Sequence, residues 1–217
     1  MLERLAVTLP LALLAFLISV ATGLGLAAAD AAVPMRAPAA LLAAMPAFWA
    51  GLLLILGVAG GLKLLPASGF VPWQSNPAAA LGSLLLPALA IGIPGGGQFA
   101  RLLLREADAG APGAIQRLRS AGMTAALARR RLAMTRLRST LPALLGQVFV
   151  AVWIGSVLVE TLFYLPGLGR LTLGAALQHD LPLFAVALFT LLALALLGDT
   201  LLRLSQMLLQ RRLREAA

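Results

Sequence analysis

Five long apolar stretches dominate this sequence and limit the folds open to it. They cover residues 5–29, 39–62, 78–104, 141–163 and 181–204. A helix needs about 20 mainly apolar residues to cross a bilayer, so each stretch is long enough for one tilted crossing. Prolines inside the stretches do not exclude helices, because neighbouring helices can satisfy the backbone groups that proline leaves free. The pattern predicts an all-α polytopic membrane protein of about five transmembrane helices, with one domain over residues 1–217.

Charge and composition exclude several other classes of protein. Hydrophobic residues make up 61% of the chain and charged residues 12%, whereas an average soluble domain is about one quarter charged. The net charge of +9 would suit a nucleic-acid-binding protein, but the arginines lie between and after apolar stretches, as they do near membrane surfaces. We therefore expect no nucleic-acid partner. The chain has no cysteine, which excludes disulfides and thiolate metal sites.

The distribution of lysine and arginine predicts the orientation in the membrane. With five crossings, fourteen of the 17 basic residues fall on one side. Positive loops resist translocation, so we expect this side to be cytoplasmic, with the C-terminus inside and the N-terminus outside. Because an odd number of crossings with an external N-terminus is unusual, we expect a further helix to precede this sequence. The fourteen are Arg36, Arg101, Arg105, Arg117, Arg119, Arg129, Arg130, Arg131, Arg136, Arg138, Arg203, Arg211, Arg212 and Arg214; the others are Arg4, Lys63 and Arg170.

One long connection, residues 105–140, falls on the basic side and keeps a helical pattern. Ile115, Leu118 and Gly122 are spaced i, i+3 and i+7 and share one helix face, while Arg117 points elsewhere. An amphipathic helix in this position can dock into a groove on another protein or lie along the membrane surface. A solvated basic loop that binds anionic lipid is the alternative that composition leaves open.

Several distinctive short segments are spread along nearly the whole chain. They read Met-Pro-Ala-Phe-Trp at 45–49, Leu-Pro-Ala-Ser-Gly-Phe at 65–70, Arg-Ser-Ala-Gly-Met at 119–123, Leu-Pro at 141–142, Val-Glu-Thr-Leu-Phe at 159–163 and Leu-Pro-Gly-Leu-Gly-Arg at 165–170. In this order they resemble the permease subunits of dipeptide, oligopeptide and nickel ABC importers. The corresponding family segments read Ile-Pro-Ser-Phe-Trp, Leu-Pro-Ala-Ser-Gly-Tyr, Arg-Ala-Lys-Gly-Leu, Leu-Pro, Val-Glu-Thr-Val-Phe and Pro-Gly-Leu-Gly-Arg.

The resemblance implies a fold, a location and a set of partners. The fold is that of a type I ABC importer permease in the bacterial inner membrane, and the chain would begin at the family's second helix. The implied partners are a second permease, two ATP-binding subunits, a periplasmic solute-binding protein and the lipid bilayer. The expected cargo is a small solute such as a peptide or a nickel chelate.

This chain is expected to be a non-catalytic transport subunit without a cofactor or metal of its own. A P-loop needs Gly-Lys before Ser or Thr, and the only lysine, Lys63, stands between Leu62 and Leu64. The resemblance therefore assigns ATP and Mg²⁺ to the partner ATP-binding subunits.

The resemblance also assigns a coupling role to part of the basic connection. Gly122 would let the ATP-binding subunit approach the backbone closely, since it has no side chain. The alternative is that Gly122 ends a short helix as a C-cap, and the sequence favours neither interpretation. The connection departs from the family pattern, because Gln-Arg-Leu stands at 116–118 where other members have Glu-Ala-Ala. The expected coupling residues are Leu118, Arg119, Ser120, Ala121, Gly122 and Met123.

At the opposite side, Glu160 is the most informative polar residue. It lies near the outer end of the fourth stretch, and an ionisable group at membrane depth is rare without a role. In the family this glutamate precedes a re-entrant segment at the outer mouth. We expect it to cap or brace residues 165–170, with Arg170 as its partner. The expected outer-mouth residues are Glu160, Pro166, Gly167, Gly169 and Arg170.

Three further polar residues lie inside apolar stretches. Gln98, Gln147 and Asp199 could line a translocation path. They could instead hydrogen-bond between helices, a contribution of roughly 0.6 kcal/mol each. The glycine cluster within residues 92–97 is expected either to kink the third stretch or to allow close helix approach.

Other functions fit this sequence less well. The first alternative is a membrane anchor whose basic connection recruits a cytoplasmic protein. A secondary transporter would need internal symmetry and acidic residues to couple ions, and few are present. His179 and Asp180 form a poor metal-ligand set. An embedded serine protease is disfavoured, because His179 is the only histidine and lies in an external connection.

Overall fold

The computed structural model describes residues 1–30, 33–108 and 112–215. Within these residues the chain forms eight α-helices and no β-strand, which confirms the all-α fold class. A π-helical segment, Ile55–Gly61, continues the third helix. The helices are α1 (Leu2–Ala29), α2 (Arg36–Ala44), α3 (Ala47–Leu54), α4 (Pro77–Asp108), α5 (Pro112–Ser120), α6 (Ala125–Leu162), α7 (Leu168–Leu177) and α8 (Leu181–Glu215).

In the described part of the chain, four helical segments are long and apolar enough to cross a membrane. They are Leu2–Ala29, Pro77–Asp108, Ser139–Leu162 and Leu181–Ser205. A fifth crossing is possible if α2 and the α3 helix with its π-helical continuation count as one broken span. The polytopic architecture of about five apolar helices is thus confirmed.

The second predicted stretch, residues 39–62, differs from a single straight helix. Its two halves meet at an angle of 94°. Met45 and Pro46 at the junction both have extended backbone, with ψ of 120° and 142°. Proline disfavours the helical conformation of the residue before it and has no N–H to continue the hydrogen-bond ladder, so the helix breaks at this point.

Contacts between helix ends define the two ends of the bundle. At the first, which we call the Arg36 end, the Arg36 guanidinium at the start of α2 pairs with Asp108 at the end of α4 (2.6 Å). The second, the Glu160 end, joins the start of α1 to the end of α6 and to the segment before α4. There the Trp73 Nε1–H donates to the Ala6 carbonyl (2.7 Å), and the Gly69 N–H donates to the Phe163 carbonyl (2.9 Å).

Chain direction follows from these contacts. Helix α5 comes after the end of α4 and therefore lies at the Arg36 end, whereas α7 comes after α6 and lies at the Glu160 end. The broken pair α2–α3 runs from one end to the other, because Arg36 begins it at one end and the turn around Gly69 follows it at the other.

The core is centred on α4, whose glycines allow very close packing against α1 and α2. A Cβ atom on Gly92 would lie 2.5 Å from the Ile18 side chain, and one on Gly97 would lie 2.6 Å from the Ala43 backbone. Small residues at helix interfaces let backbones approach in a membrane, where packing rather than hydrophobic burial holds helices together. The glycine cluster therefore serves close approach, and α4 runs as one helix through Pro87 and Pro94.

We expect Gly96→Ala to lower the free energy of unfolding by about 1–3 kcal/mol, because overpacking a filled interface costs that much. A methyl group there would overlap the Thr22 hydroxyl and lie 2.7 Å from the Thr22 Cβ. Gly82→Ala, also in α4, is the matched control, because nothing lies within 4 Å of its Cβ position. Thermal unfolding of the purified chain in detergent measures both, and equal midpoints for the two variants would contradict this packing.

Candidate functional site

Helix α5, at the Arg36 end, stops in a glycine-based cap. The Met123 N–H donates to the Leu118 carbonyl (3.1 Å), and the Gly122 N–H donates to the Arg119 carbonyl (3.0 Å). These two bonds form a Schellman motif, in which the residue after the helix adopts a left-handed conformation. Gly122 does so with φ of +90°. The capping interpretation of Gly122 therefore describes its conformation.

The surface around this cap is open within the chain. Nothing lies within 4 Å of a Cβ built on Gly122, so no neighbour in the described structure requires a glycine for packing. Arg119, Ser120 and Ala121 are exposed, whereas Leu118 and Met123 are partly buried. The side chain of Ile115, the other member of the predicted apolar face, lies outside the described side chains. The expected coupling residues thus form a compact, mostly exposed and basic surface.

Glu160 lies at the opposite end and is completely buried, with 0% of its surface exposed. Its Oε1 accepts a hydrogen bond from the Thr8 hydroxyl of α1 (2.6 Å), and its Oε2 accepts one from the Arg170 backbone N–H (3.1 Å). Thr8 Oγ1 in turn accepts the Leu168 N–H (2.8 Å). These bonds link α1, α6 and the start of α7.

The bonds replace a missing local cap on α7. The first N–H groups of a helix have no partner inside it, and here the N-cap residue is Gly167, which has no side chain to offer. Glu160 on α6 and Thr8 on α1 supply the oxygens. A carboxylate is also favoured at a helix N-terminus by the helix dipole. The geometry is that of a brace on the segment after α6.

The glycines of the expected outer mouth make this brace possible. A Cβ on Gly167 would fall on the Glu160 carboxyl group, and one on Gly169 would lie 2.5 Å from the Val157 Cα. Any side chain at either position would separate α7 from α6. Pro166 is partly buried beside them, and the preceding Leu165 is fully buried.

Arg170 contacts Glu160 through its backbone rather than its side chain. The guanidinium lies over the Tyr164 ring, 4.7 Å from its centroid. The side chains of Arg170 and Glu160 form no ion pair. A cation over an aromatic face is attracted by the ring quadrupole. Glu160 thus contacts Arg170 only through the backbone N–H group, and the guanidinium charge lies over Tyr164.

The structure brings together two of the three residues that were expected to line a path. Gln98 on α4 and Gln147 on α6 meet in one cleft of about 350 Å³. Asp199 lies apart, where Gly146 of α6 packs closely against its carboxylate. Its Oδ2 accepts the Arg203 Nε–H (2.7 Å), and its Oδ1 is buried without a hydrogen-bond partner. Asp199 is therefore a residue of the α6–α8 contact. The cleft is lined by Gln98, Arg101, Leu102, Arg105, Gln147 and Val148.

His179 and Asp180 form the turn between α7 and α8. His179 has a positive φ of 57°, and Asp180 Oδ1 accepts the Leu183 N–H at the start of α8 (3.1 Å). In the described residues no three His, Asp or Glu side chains come together in a way that could hold a metal ion.

Sequence reasoning missed Thr8, Arg101 and Arg105 as site residues. Thr8 sits in an apolar helix 152 positions from its partner, and nothing local marks it. The two arginines carry a signal, since they follow Gln98 at i+3 and i+7 and so share its helix face.

We expect Thr8→Val to destabilise the fold by about 1–3 kcal/mol, because it leaves the buried Leu168 N–H and Glu160 Oε1 without their partner. Thr190→Val is the matched control. The Thr190 hydroxyl donates only to the Val186 carbonyl of its own helix. Thermal unfolding and amide hydrogen exchange at Leu168 measure the effect. An equal loss in both variants would show that the brace contributes nothing beyond a local contact.

Known proteins similar to this chain agree with the architecture. Residues 4–215 match the family described as binding-protein-dependent transport system inner membrane component. A putative peptide transport system permease protein of Brucella suis biovar 1 (strain 1330) is 35% identical over 191 residues, covering 83% of this chain and 60% of the relative. A similar protein of Brucella abortus (strain 2308) is 35% identical over 193 residues, with the same coverage of 83% and 60%.

A more distant relative carries a different cargo in its name. The metal-staphylopine import system permease protein CntB of Staphylococcus aureus (strain NCTC 8325) is 29% identical over 187 residues, covering 84% of this chain and 56% of the relative. The chain thus spans about three fifths of the length of the relatives it matches. With nearly all of its length matched and the apolar helices in place, the chain belongs to the family of binding-protein-dependent transport system inner membrane components.

Proposed function

We propose that this chain is a transmembrane permease subunit of an ATP-driven importer for a small solute, either a peptide or a metal chelate. The observation that carries the proposal is the family match over residues 4–215. The names of the relatives, peptide transport and metal-staphylopine import, supply the two classes of cargo. ATP would be hydrolysed in separate subunits, so this chain would be a non-catalytic subunit.

The orientation proposed for the chain has its Arg36 end in the cytoplasm. Fourteen of the 17 basic residues were assigned to that side from the sequence, and basic loops are retained in the cytoplasm. The Glu160 end, with only Arg4, Lys63 and Arg170, would then face the outside. There the braced helix α7 would form part of the outer mouth, next to a solute-binding protein.

Helix α5 is the element best suited to receive force from an ATP-binding subunit. It is short, exposed and basic, and it connects the ends of α4 and α6 at the Arg36 end. The exposed residues around Gly122 leave its backbone accessible to a partner surface. A displacement of α5 would act on α4 and α6, the two helices that line the cleft. A second permease would complete the path on the open side of that cleft.

We expect Gly122→Trp to reduce solute-stimulated ATP hydrolysis by the copurified complex about tenfold or more, a coupling loss of about 1.4 kcal/mol or more. Bulk at this position would keep the partner away from the backbone. The matched control is Gly113→Trp, at the other end of α5, where the Cβ position is equally open. Membrane insertion of both variants is expected to persist.

A second control separates bulk from backbone strain. Gly122 has φ of +90°. Apart from glycine, residues other than asparagine and aspartate rarely adopt a left-handed backbone conformation. Gly122→Asn is therefore expected to keep the cap and to reduce hydrolysis less than tryptophan does. Unchanged hydrolysis in Gly122→Trp would remove the coupling role of α5. A chain that recruits proteins but never associates with an ATPase would instead support the membrane-anchor alternative.

A further inference from the structure

The cleft between α4 and α6 has an unusual lining for a membrane protein. On α4, Gln98, Arg101, Leu102 and Arg105 occupy positions i, i+3, i+4 and i+7 and so share one helix face. Gln147 contributes an amide from α6. Arg105 stands three residues before Asp108, which places the cleft in the half of the bundle nearest the Arg36 end.

The two arginines of the cleft have no anionic partner within the described chain. Neither guanidinium makes an ion pair or a hydrogen bond there, and no acidic side chain lines the cleft. Elsewhere in the described residues, Arg36 pairs with Asp108, and Arg203 pairs with Asp199. The cleft thus holds two cationic side chains and no carboxylate.

Arg101 lies near the end of the third predicted stretch, toward the Arg36 end, and is partly buried. Charged residues in membrane segments face cavities, pair with opposite charges and mark pathways for ions or substrates. A ligand that brings its own negative charge would pair with Arg101.

The chemistry of the lining selects the ligand. A guanidinium presents a planar fork of N–H donors that matches the two oxygens of a carboxylate or phosphate. Arg101 and Arg105 are four residues apart and lie one turn from each other on α4. The amides of Gln98 and Gln147 both donate and accept, so they suit the polar groups beside such an oxyanion.

We infer that the cleft between α4 and α6 is an oxyanion site, in which Arg101 and Arg105 bind a carboxylate or phosphate while Gln98 and Gln147 bind neighbouring polar groups. Two sources can supply this group: the carboxylate of a transported solute, or the phosphate of an anionic lipid. Assigning it to the solute rests on the importer function proposed above. The site itself rests only on the cleft and its charges.

Arginine-specific labelling tests the site directly. The full chain, in whatever complex it is purified with, is placed in phosphatidylcholine nanodiscs and treated with phenylglyoxal, and the modification rate of each arginine is read by mass spectrometry. The probe is trialanine, which has a free carboxylate, and its control is trialanine amide. Arg131 is the internal control, because it is exposed on α6 and lies outside the cleft.

We expect trialanine to slow the modification of Arg101 and Arg105 several-fold, with no effect of trialanine amide and no effect on Arg131. Protection that requires phosphatidylglycerol in the nanodisc, without any peptide, supports the oxyanion site and assigns it to lipid phosphate. If neither trialanine nor phosphatidylglycerol protects Arg101 more than Arg131, the site is refuted. Arg101→Gln is expected to raise the half-protecting trialanine concentration at Arg105 at least about tenfold, since hydrogen bonds to charged groups are worth that much.

Failure of the site and failure of the proposed function give different results. If trialanine stimulates ATP hydrolysis in the complex but protects neither arginine, the oxyanion site is wrong and the importer function stands. If no ATPase accompanies the chain yet the arginines are protected, the site stands and the importer function is wrong.

Discussion

The structure depends on one constraint, that backbone N–H and C=O groups inside a bilayer must find partners within the protein. Long helices satisfy it for most of α1, α4, α6 and α8. The informative places are those where a helix begins or ends near the core, because the free groups there need another source of partners. The start of α7 is such a place, and the oxygens of Glu160 and Thr8 reach it from two other helices. A buried carboxylate thus replaces the local cap that Gly167 lacks.

The same constraint explains how much of the fold could be predicted. Apolar length alone identifies the long helices, because only a helix hides its backbone over so many residues. It does not distinguish a proline that breaks a helix from one that does not. Pro87 and Pro94 lie within a continuous α4, whereas the chain at Pro46 turns by 94°. The difference depends on neighbours that a single sequence does not display.

The sites divide in a similar way. Glu160 can be picked out from the sequence because a carboxylate is conspicuous in an apolar stretch. Gln98 and Gln147 can be picked out for the same reason. Thr8 cannot, since a hydroxyl in a membrane helix usually bonds to its own backbone, as Thr22 and Thr190 do. Asp199 is equally conspicuous, but the sequence alone does not show that it packs at the α6–α8 contact. Arg101 and Arg105 were counted for topology, and their shared face with Gln98 becomes meaningful once α6 closes the cleft.

The two ends of the bundle carry different functions in this account, and their placement on opposite sides of the membrane is its central claim. Because the chain has no cysteine, single exposed serines can be replaced without background labelling. Ser68→Cys lies in the turn at the Glu160 end, and Ser120→Cys lies at the end of α5. In right-side-out vesicles, a membrane-impermeant maleimide is predicted to label Ser68→Cys at once and Ser120→Cys only after permeabilisation. Labelling of Ser120→Cys from outside would contradict the account.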